Sequence, residues 1–196
     1  MSKPSLLWIS LATSGIKPHV DWPLELGLIL TDDQLTELAT FHTLFRYTPA
    51  YLETIVKRAD SFVAQMHQTS GLWLDLYTKG AASGTELPNL PEVLTAWGKQ
   101  HFGSSVPLLA GFNVGRFDAQ WLRVHADPFL ELLHFGAFDL STLRRSVQLL
   151  HGDWGPQKPP PARGLEDCRQ SIRYWRWYRQ HVMTPYHRSV AGGAET

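Results

Sequence analysis

Residues 6–15 of the chain read LLWISLATSG, an apolar run that ends in a Thr-Ser-Gly loop. Such a run predicts a buried β-strand that leaves the sheet at its polar end. Residues 24–30 and 38–45 also have the composition of strands, and a turn at Thr31-Asp32-Asp33 separates them. The first part of the chain therefore predicts an antiparallel meander of three strands, and this meander decides the fold.

The remainder of the chain alternates between helical and strand-like patterns. Residues 51–57, 61–67 and 90–102 have helical spacing, whereas the composition of residues 79–84 predicts a flexible loop. Further strands are expected at residues 106–112 and 137–140, and further helices through residues 119–122, from a cap at Ser141 or Thr142 to Leu150, and over residues 165–183. This order predicts an α/β fold with a mixed central β-sheet flanked by α-helices.

Length and composition favour one domain. The 196 residues predict a single domain over residues 1–183 and a flexible C-terminal tail over residues 184–196. The formal net charge is zero, so any contact with nucleic acid must come from a local site. A single cysteine, Cys168, rules out an internal disulfide, and no segment has the pattern of a membrane span. These features predict a cytoplasmic protein that does not interact with membranes.

Five segments, in order along the chain, resemble motifs of one family, the oligoribonuclease branch of the DEDDh 3′–5′ exonucleases. The first, WISLATSG, is similar to the family motif Trp-Ile-Asp-Leu-Glu-Met-Thr-Gly. The others are residues 63–72, Asn113 with Asp118, residues 138–143, and residues 166–181. The resemblance implies a ribonuclease-H-like fold, a homodimer, and hydrolysis by two divalent cations, Mg²⁺ or Mn²⁺, that four carboxylates hold. It also implies a histidine that acts as general base.

The departures from these motifs fall on the groups that carry the chemistry. Ser10 and Ala12 stand where the family has the aspartate and glutamate of the first motif, and Ala162 stands where it has the histidine base. Asp118 and Asp167 remain, and they are expected to hold a cation weakly, if at all. Because Mg²⁺ prefers several charged oxygen ligands, we expect no intact two-metal site and little hydrolysis.

One alternative retains a metal site by substitution. Asp21 and Glu25 lie close to the first motif in sequence and could replace the missing acids. Against this alternative, Glu25 matches a glutamate that the family has on its second strand.

The resemblance also implies a set of substrate-binding residues, which are Ile16, Phe62, His67, Asn113 and Ser141. Ile16 and Phe62 match the residues that clasp two bases, His67 matches a phosphate contact, and Ser141 matches one residue of a cap on the terminal phosphate. Two other cap residues are lost, at Val114 and Gly136, and Phe135 replaces a tyrosine. Plainer interpretations stay open: Ile16 and Phe62 as core residues, His67 as a structural histidine, and the stripe of Arg169, Arg173 and Arg176 as a solvated face.

Three functional hypotheses follow from this comparison. The first is a degenerate exonuclease that binds a short oligoribonucleotide, a nucleotide or a protein partner in the old cleft. The second is an active metal-dependent 3′–5′ exoribonuclease with a rearranged site. The third is a non-catalytic scaffold dimer.

Overall fold

A computed structural model describes residues 3–152, 155–156 and 162–183. The predicted C-terminal tail, residues 184–196, lies outside the described residues, and so do residues 153–154 and 157–161. The domain boundary at residue 183 therefore stays a prediction.

The described residues contain a mixed five-stranded sheet. Its strands are β1 (Leu6–Thr13), β2 (Pro23–Thr31), β3 (Glu37–Leu44), β4 (Leu108–Gly111) and β5 (Ala137–Asp139), in the spatial order β3-β2-β1-β4-β5. Strands β1, β2 and β3 pair antiparallel, whereas β4 pairs parallel with both β1 and β5. All nine residues of β2 are buried, as its apolar composition requires in a central strand. The predicted meander and mixed sheet are confirmed.

Helices cover both faces of this sheet. In the described part of the chain they are α1 (Pro49–Arg58), α2 (Ser61–Thr69), α3 (Leu72–Asp75), α4 (Ala81–Ser83), α5 (Leu90–Phe102), α6 (Asp118–His125), α7 (Asp127–Leu130), α8 (Leu140–His151) and α9 (Gly164–Tyr178). Two π-helical turns, Leu76–Gly80 and Arg179–Met183, extend α3 and α9. None of these helices combines the length and apolar composition that crossing a bilayer requires.

The side chains of β1 alternate between two cores. Leu7 and Ile9 pack on one face of the sheet, in a cluster that includes residues of α5, α6 and α7. Trp8 packs on the other face, against residues of α8 and α9. Since successive residues of a strand point to opposite faces, Ser10 and Ala12 share the side of β1 that carries Trp8. The positions of the missing acids are therefore on the face that α9 covers.

Two local predictions are wrong. Residues 79–83 of the predicted flexible loop 79–84 are helical, because Lys79 pairs with Asp75 at 2.8 Å and Gly80 packs closely against the backbone of Phe45. Tertiary packing here overrides the loop-like composition. The cap of α8 is Asp139, which accepts a hydrogen bond from the Ser141 amide at 2.8 Å; neither Ser141 nor Thr142 is the cap.

The start of α9 approaches β2 at Gly27, where the two backbones nearly touch. A Cβ atom at Gly27 would lie 2.5 Å from the carbonyl carbon of Gly164 and 2.8 Å from the amide nitrogen of Leu165. Gly164 itself has a positive φ of 55°, a conformation that favours glycine. The thiol of Cys168, one turn later, lies 3.4 Å from the Gly27 carbonyl oxygen. Only a residue without a side chain allows this approach.

Gly27→Ala is expected to lower the free energy of unfolding by about 1–3 kcal/mol, because overpacking forces backbone to move. Urea denaturation followed by circular dichroism measures the change. Gly115→Ala is the matched control, since its Cβ would meet only Ala137 at an ordinary 3.7 Å. Equal effects of the two substitutions would contradict the close approach of α9 to β2.

Candidate functional site

A cleft of about 1080 Å³ opens at the carboxyl ends of the parallel strands β1, β4 and β5. Sites in open α/β sheets commonly occupy this edge. The ten residues that the family resemblance predicts as catalytic or substrate-binding positions all line this one cleft. They are Ser10, Ala12, Ile16, Phe62, His67, Asn113, Asp118, Ser141, Ala162 and Asp167. The structure therefore brings together residues that are spread over more than 150 positions of sequence.

The two remaining acids line this cleft. Asp118 is the first residue of α6 and is 5% exposed, so it is a buried acid rather than a surface one. Asp167 lies in the first turn of α9. Burial raises the pKa of Asp118 well above its ordinary value, and the negative charge of Asp167 raises it further. The fold thus brings Asp118 and Asp167 close together although they are far apart in sequence.

The first motif contributes no charge to the cleft. Ser10 and Ala12 pair with Gly27 and Glu25 across β1 and β2, and both line the cleft with a hydroxyl and a methyl group. Across residues 3–152, 155–156 and 162–183, no three His, Cys, Asp or Glu side chains are grouped so that they could hold a metal ion. Two cations about 3.5–4 Å apart require several anionic ligands. The donor set of this cleft does not fit a two-metal centre.

Neither acid near the first motif lines the cleft. The Asp21 carboxylate accepts a hydrogen bond from the Lys17 amide at 2.9 Å, within its own loop. Glu25 is buried, and its carboxylate lies 2.7 Å from His42 Nε2 and 3.2 Å from Arg163 Nε. Since neither residue lines the cleft, the structure does not support substitution by Asp21 or Glu25.

Arg163 is a feature that the sequence comparison did not single out. It follows Ala162, the position of the lost histidine base, and its side chain forms ion pairs with both Glu25 and Asp75. It also donates a hydrogen bond to the Ser70 carbonyl oxygen at 3.1 Å. The guanidinium thereby ties the start of α9 to β2 and α3. No local pattern around Arg163 in the sequence predicts these partners, which come from two distant segments.

Ile16 and Phe62 project into solvent at the mouth of the cleft. Ile16 is 76% exposed and Phe62 is 72% exposed, so neither is a core residue. The Phe62 amide is held by the Asp60 carboxylate, the cap of α2, at 2.9 Å. An apolar pair that is exposed beside a cleft has the character of a binding surface rather than of a folding core.

His67 is buried between β1 and α3. Its Nε2 atom lies 2.9 Å from the Thr13 carbonyl oxygen, and its ring packs edge-on against Trp73 with centroids 5.2 Å apart. Burial lowers the pKa of His67 below its ordinary value of 6.5. These contacts support the structural interpretation of His67, although the ring also lines the cleft.

Asn113 and Ser141 meet where β4 and β5 end. The Asn113 amide donates to the Ser141 hydroxyl at 2.9 Å and to the Asp139 carboxylate at 3.2 Å. Asn113 has a φ of 56°, which asparagine tolerates better than most residues.

The lost cap positions offer no phosphate ligand from their side chains. Val114 is fully buried, and the Gly136 amide donates to His134 Nδ1 at 3.1 Å. Phe135 is 99% exposed and lies outside the cleft.

Two groups of arginines differ in their position. Arg169 and Arg173 of α9 pair with Glu37 and Glu166 and do not line the cleft, in keeping with a solvated face. Arg144 and Arg145 of α8 do line it, and the sequence comparison missed them. Arg144 and Arg145 follow Ser141 by three and four positions, which places them on the same face of a helix. This spacing could have identified them from the sequence.

Comparison with known proteins reveals relatives along nearly the whole chain. No protein-family model matches. The chain is 25% identical to the oligoribonuclease of Aliivibrio fischeri over 186 residues, covering 92% of this chain and 96% of that protein. It is 27% identical to the oligoribonuclease of Pseudomonas syringae pv. syringae over 188 residues, with 94% and 99% covered.

Solved structures of exonuclease I have the same fold. Escherichia coli exonuclease I in complex with a dT13 oligonucleotide matches with a TM-score of 0.68 at 13% identity over 94% of this chain. Exonuclease I from Methylocaldum szegediense matches with a TM-score of 0.64 at 17% identity over 90% of this chain. The chain spans 42% and 40% of these two proteins. At such identities the likeness establishes the fold, an RNase-H-like sheet flanked by helices, and nothing further.

The depressed pKa of His67 predicts a pH dependence of stability. A histidine whose pKa is lower in the folded state stabilises the fold above its unfolded pKa, about 6.5, and this stability is lost as pH falls through the folded pKa. We expect the free energy of unfolding to fall between about pH 7.5 and pH 5.5, and to fall less in His67→Gln. Urea titrations at several pH values measure both slopes. Exposed His181→Gln is the control, and an equal flattening by both variants would contradict the assignment.

Because the two acids of the first motif are missing, we predict that introducing them increases the affinity of the cleft for metal ions. Ser10→Asp combined with Ala12→Glu is expected to tighten Mn²⁺ binding at least about tenfold in calorimetry, since two carboxylates then join Asp118 and Asp167. Leu38→Asp with Thr40→Glu is the control, because it adds the same charges at the same spacing on the exposed face of β3. A gain of equal size in the control would show an effect of net charge alone.

Proposed function

We propose that this chain, which is similar to oligoribonucleases along nearly its whole length, binds short oligonucleotides in its cleft without hydrolysing them. The observation that carries the proposal is a contrast within one cleft. Its mouth keeps an exposed apolar pair, Ile16 and Phe62, whereas its floor lacks two of the acids that two cations need.

The exposed pair supports binding of nucleobases. Every base has an apolar face, and stacking on an aromatic side chain contributes about 1–3 kcal/mol per base. Phe62 belongs to α2, whose cap at Asp60 fixes the start of the helix. Ile16 belongs to the loop that follows β1, and His125 of α6 holds this loop through the Pro18 carbonyl oxygen at 3.0 Å. Both side chains are thus exposed on anchored segments, which limits the entropy lost on binding.

The floor of the cleft supports the absence of hydrolysis. Serine and alanine at positions 10 and 12 supply no anionic oxygen, and Ala162 supplies no base for an attacking water. Groups that act together in catalysis are non-additive, so the loss of several removes nearly all of the acceleration. Arg163, which follows Ala162, is engaged with Glu25 and Asp75 and does not supply a base, because a guanidinium stays protonated.

The experiment combines binding and cleavage of one probe. A labelled diribonucleotide is titrated into the protein by fluorescence anisotropy, and the same mixture is incubated with Mg²⁺ or Mn²⁺ and analysed for mononucleotide product. We expect saturable binding and no product. We expect Phe62→Ala to weaken binding by about 1–3 kcal/mol, through loss of one stacked base.

Phe135→Ala is the matched control, since Phe135 is also an exposed phenylalanine but lies outside the cleft. Metal-dependent product that disappears in Asp118→Ala would select the exoribonuclease hypothesis instead. A stable dimer that neither binds nor cleaves the probe would select the scaffold hypothesis.

A further inference from the structure

The side chain of Trp22 joins the loop after β1 to helix α1. Its indole nitrogen donates a hydrogen bond to the Tyr51 hydroxyl at 2.7 Å, and the two rings meet edge-on with centroids 5.8 Å apart. The guanidinium of Arg58 lies over the same indole, 5.0 Å from the ring centroid. Since Tyr51 and Arg58 are seven residues apart, they share one face of α1, and the indole of Trp22 lies along that face.

The backbone of Trp22 closes the loop that presents Ile16. The Ser14 amide donates to the Trp22 carbonyl oxygen at 2.9 Å, and the Trp22 amide donates to the Ser14 hydroxyl at 2.9 Å. A Cβ atom at Gly15 would lie 2.4 Å from the Asp21 carboxylate, so the interior of this loop is closely packed. Because the loop is short, closed and tightly packed, a displacement of Trp22 is transmitted to Ile16.

The helix that Trp22 contacts leads directly to Phe62. Arg58 is the last residue of α1, and Asp60, two positions later, is the cap of α2 and holds the Phe62 amide at 2.9 Å. The indole of Trp22 also packs on a core cluster that includes buried residues of α1 and α3. The contact of Trp22 with α1 therefore relates the position of the Ile16 loop to the start of α2.

Helix α2 is attached to β1 at its opposite end. His67, near the C-terminal end of α2, lies with its Nε2 atom 2.9 Å from the Thr13 carbonyl oxygen. Trp22 acts through α1 at the N-terminal end of α2, where Phe62 lies. The spacing between Phe62 and the loop after β1 therefore depends on Trp22 more directly than on His67.

We infer that Trp22 is a positioning residue for the exposed apolar pair: its contact with α1 fixes the spacing of Ile16 and Phe62, and so favours ligands with two adjacent bases. The inference rests on the proposed function, which it deepens by naming the residue that sets this spacing. A ligand that engages both side chains gains affinity from a spacing fixed in advance, because less ordering is left to occur on binding. A mononucleotide, with one base, does not need that spacing. The ratio of the two affinities therefore reports positioning.

Tyr51→Phe tests the contact, because it removes the acceptor of the Trp22 hydrogen bond and keeps the ring. Affinities for a labelled diribonucleotide and for the mononucleotide are measured in EDTA by fluorescence anisotropy. We expect Tyr51→Phe to weaken dinucleotide binding about three- to tenfold, the scale of one hydrogen bond, and to leave mononucleotide binding unchanged. Trp22→Phe is expected to act similarly. The double variant is expected to bind no more weakly than the weaker single variant, because both changes remove the same hydrogen bond.

Tyr77→Phe is the matched control, because it removes a hydroxyl from a tyrosine of similar exposure outside the cleft. Thermal unfolding verifies that all variants are folded. Amide hydrogen exchange adds a readout that needs no ligand. In Tyr51→Phe, the amides of Ser14 and Trp22 are expected to exchange at least about threefold faster, whereas those of β2 are unchanged.

The outcomes separate the inference from the proposed function. If the dinucleotide binds the wild type and every variant alike, positioning by Trp22 is overturned and the proposed function stands. An equal loss in Tyr77→Phe, or additive losses in the double variant, also overturns positioning. If the wild type binds no dinucleotide, the proposed function fails. Faster exchange at Ser14 and Trp22 in Tyr51→Phe then still supports positioning of the loop by Trp22, and unchanged exchange overturns it.

Discussion

The close approach of two backbones at Gly27 and Gly164 is the contact on which the rest of the cleft depends. Because no side chain separates β2 from the start of α9, the helix lies directly on the sheet. Cys168, fully buried beneath it, keeps its thiol within 3.4 Å of the Gly27 carbonyl oxygen. This contact determines how far Asp167 and Ala162 lie from the end of β1. A bulkier residue at either glycine would move the floor of the cleft.

Arg163 reinforces this contact by electrostatics. Its guanidinium lies between the buried carboxylate of Glu25 and the half-buried carboxylate of Asp75, so it pairs with acids from two different elements. A buried acid without such a partner would carry a desolvation cost of several kcal/mol. The contacts with Arg163 and His42 also hold the Glu25 carboxylate outside the lining of the cleft, although Glu25 is close to the first motif.

The charges of the cleft connect its structure to the proposed function. Ser10 and Ala12 remove negative charge from the side of β1, while Arg144 and Arg145 add positive charge from α8. A cleft with this balance attracts an anionic ligand directly, whereas a cleft lined by four acids attracts cations first. The exposed side chains of Ile16 and Phe62 then provide apolar surface for the bases.

The sequence by itself determined the order and type of most elements, because alternation in β1 to β3 and helical spacing in α5 and α9 are local patterns. It also determined which residues of the family motifs are replaced, at Ser10, Ala12 and Ala162, because the five motifs keep their order along the chain. Only the tertiary structure decided that Ile16 and Phe62 are exposed, that Glu25 is paired with Arg163, and that residues 79–83 are helical. The physical reason is that burial and ion pairing depend on partners from distant segments, which no local pattern records.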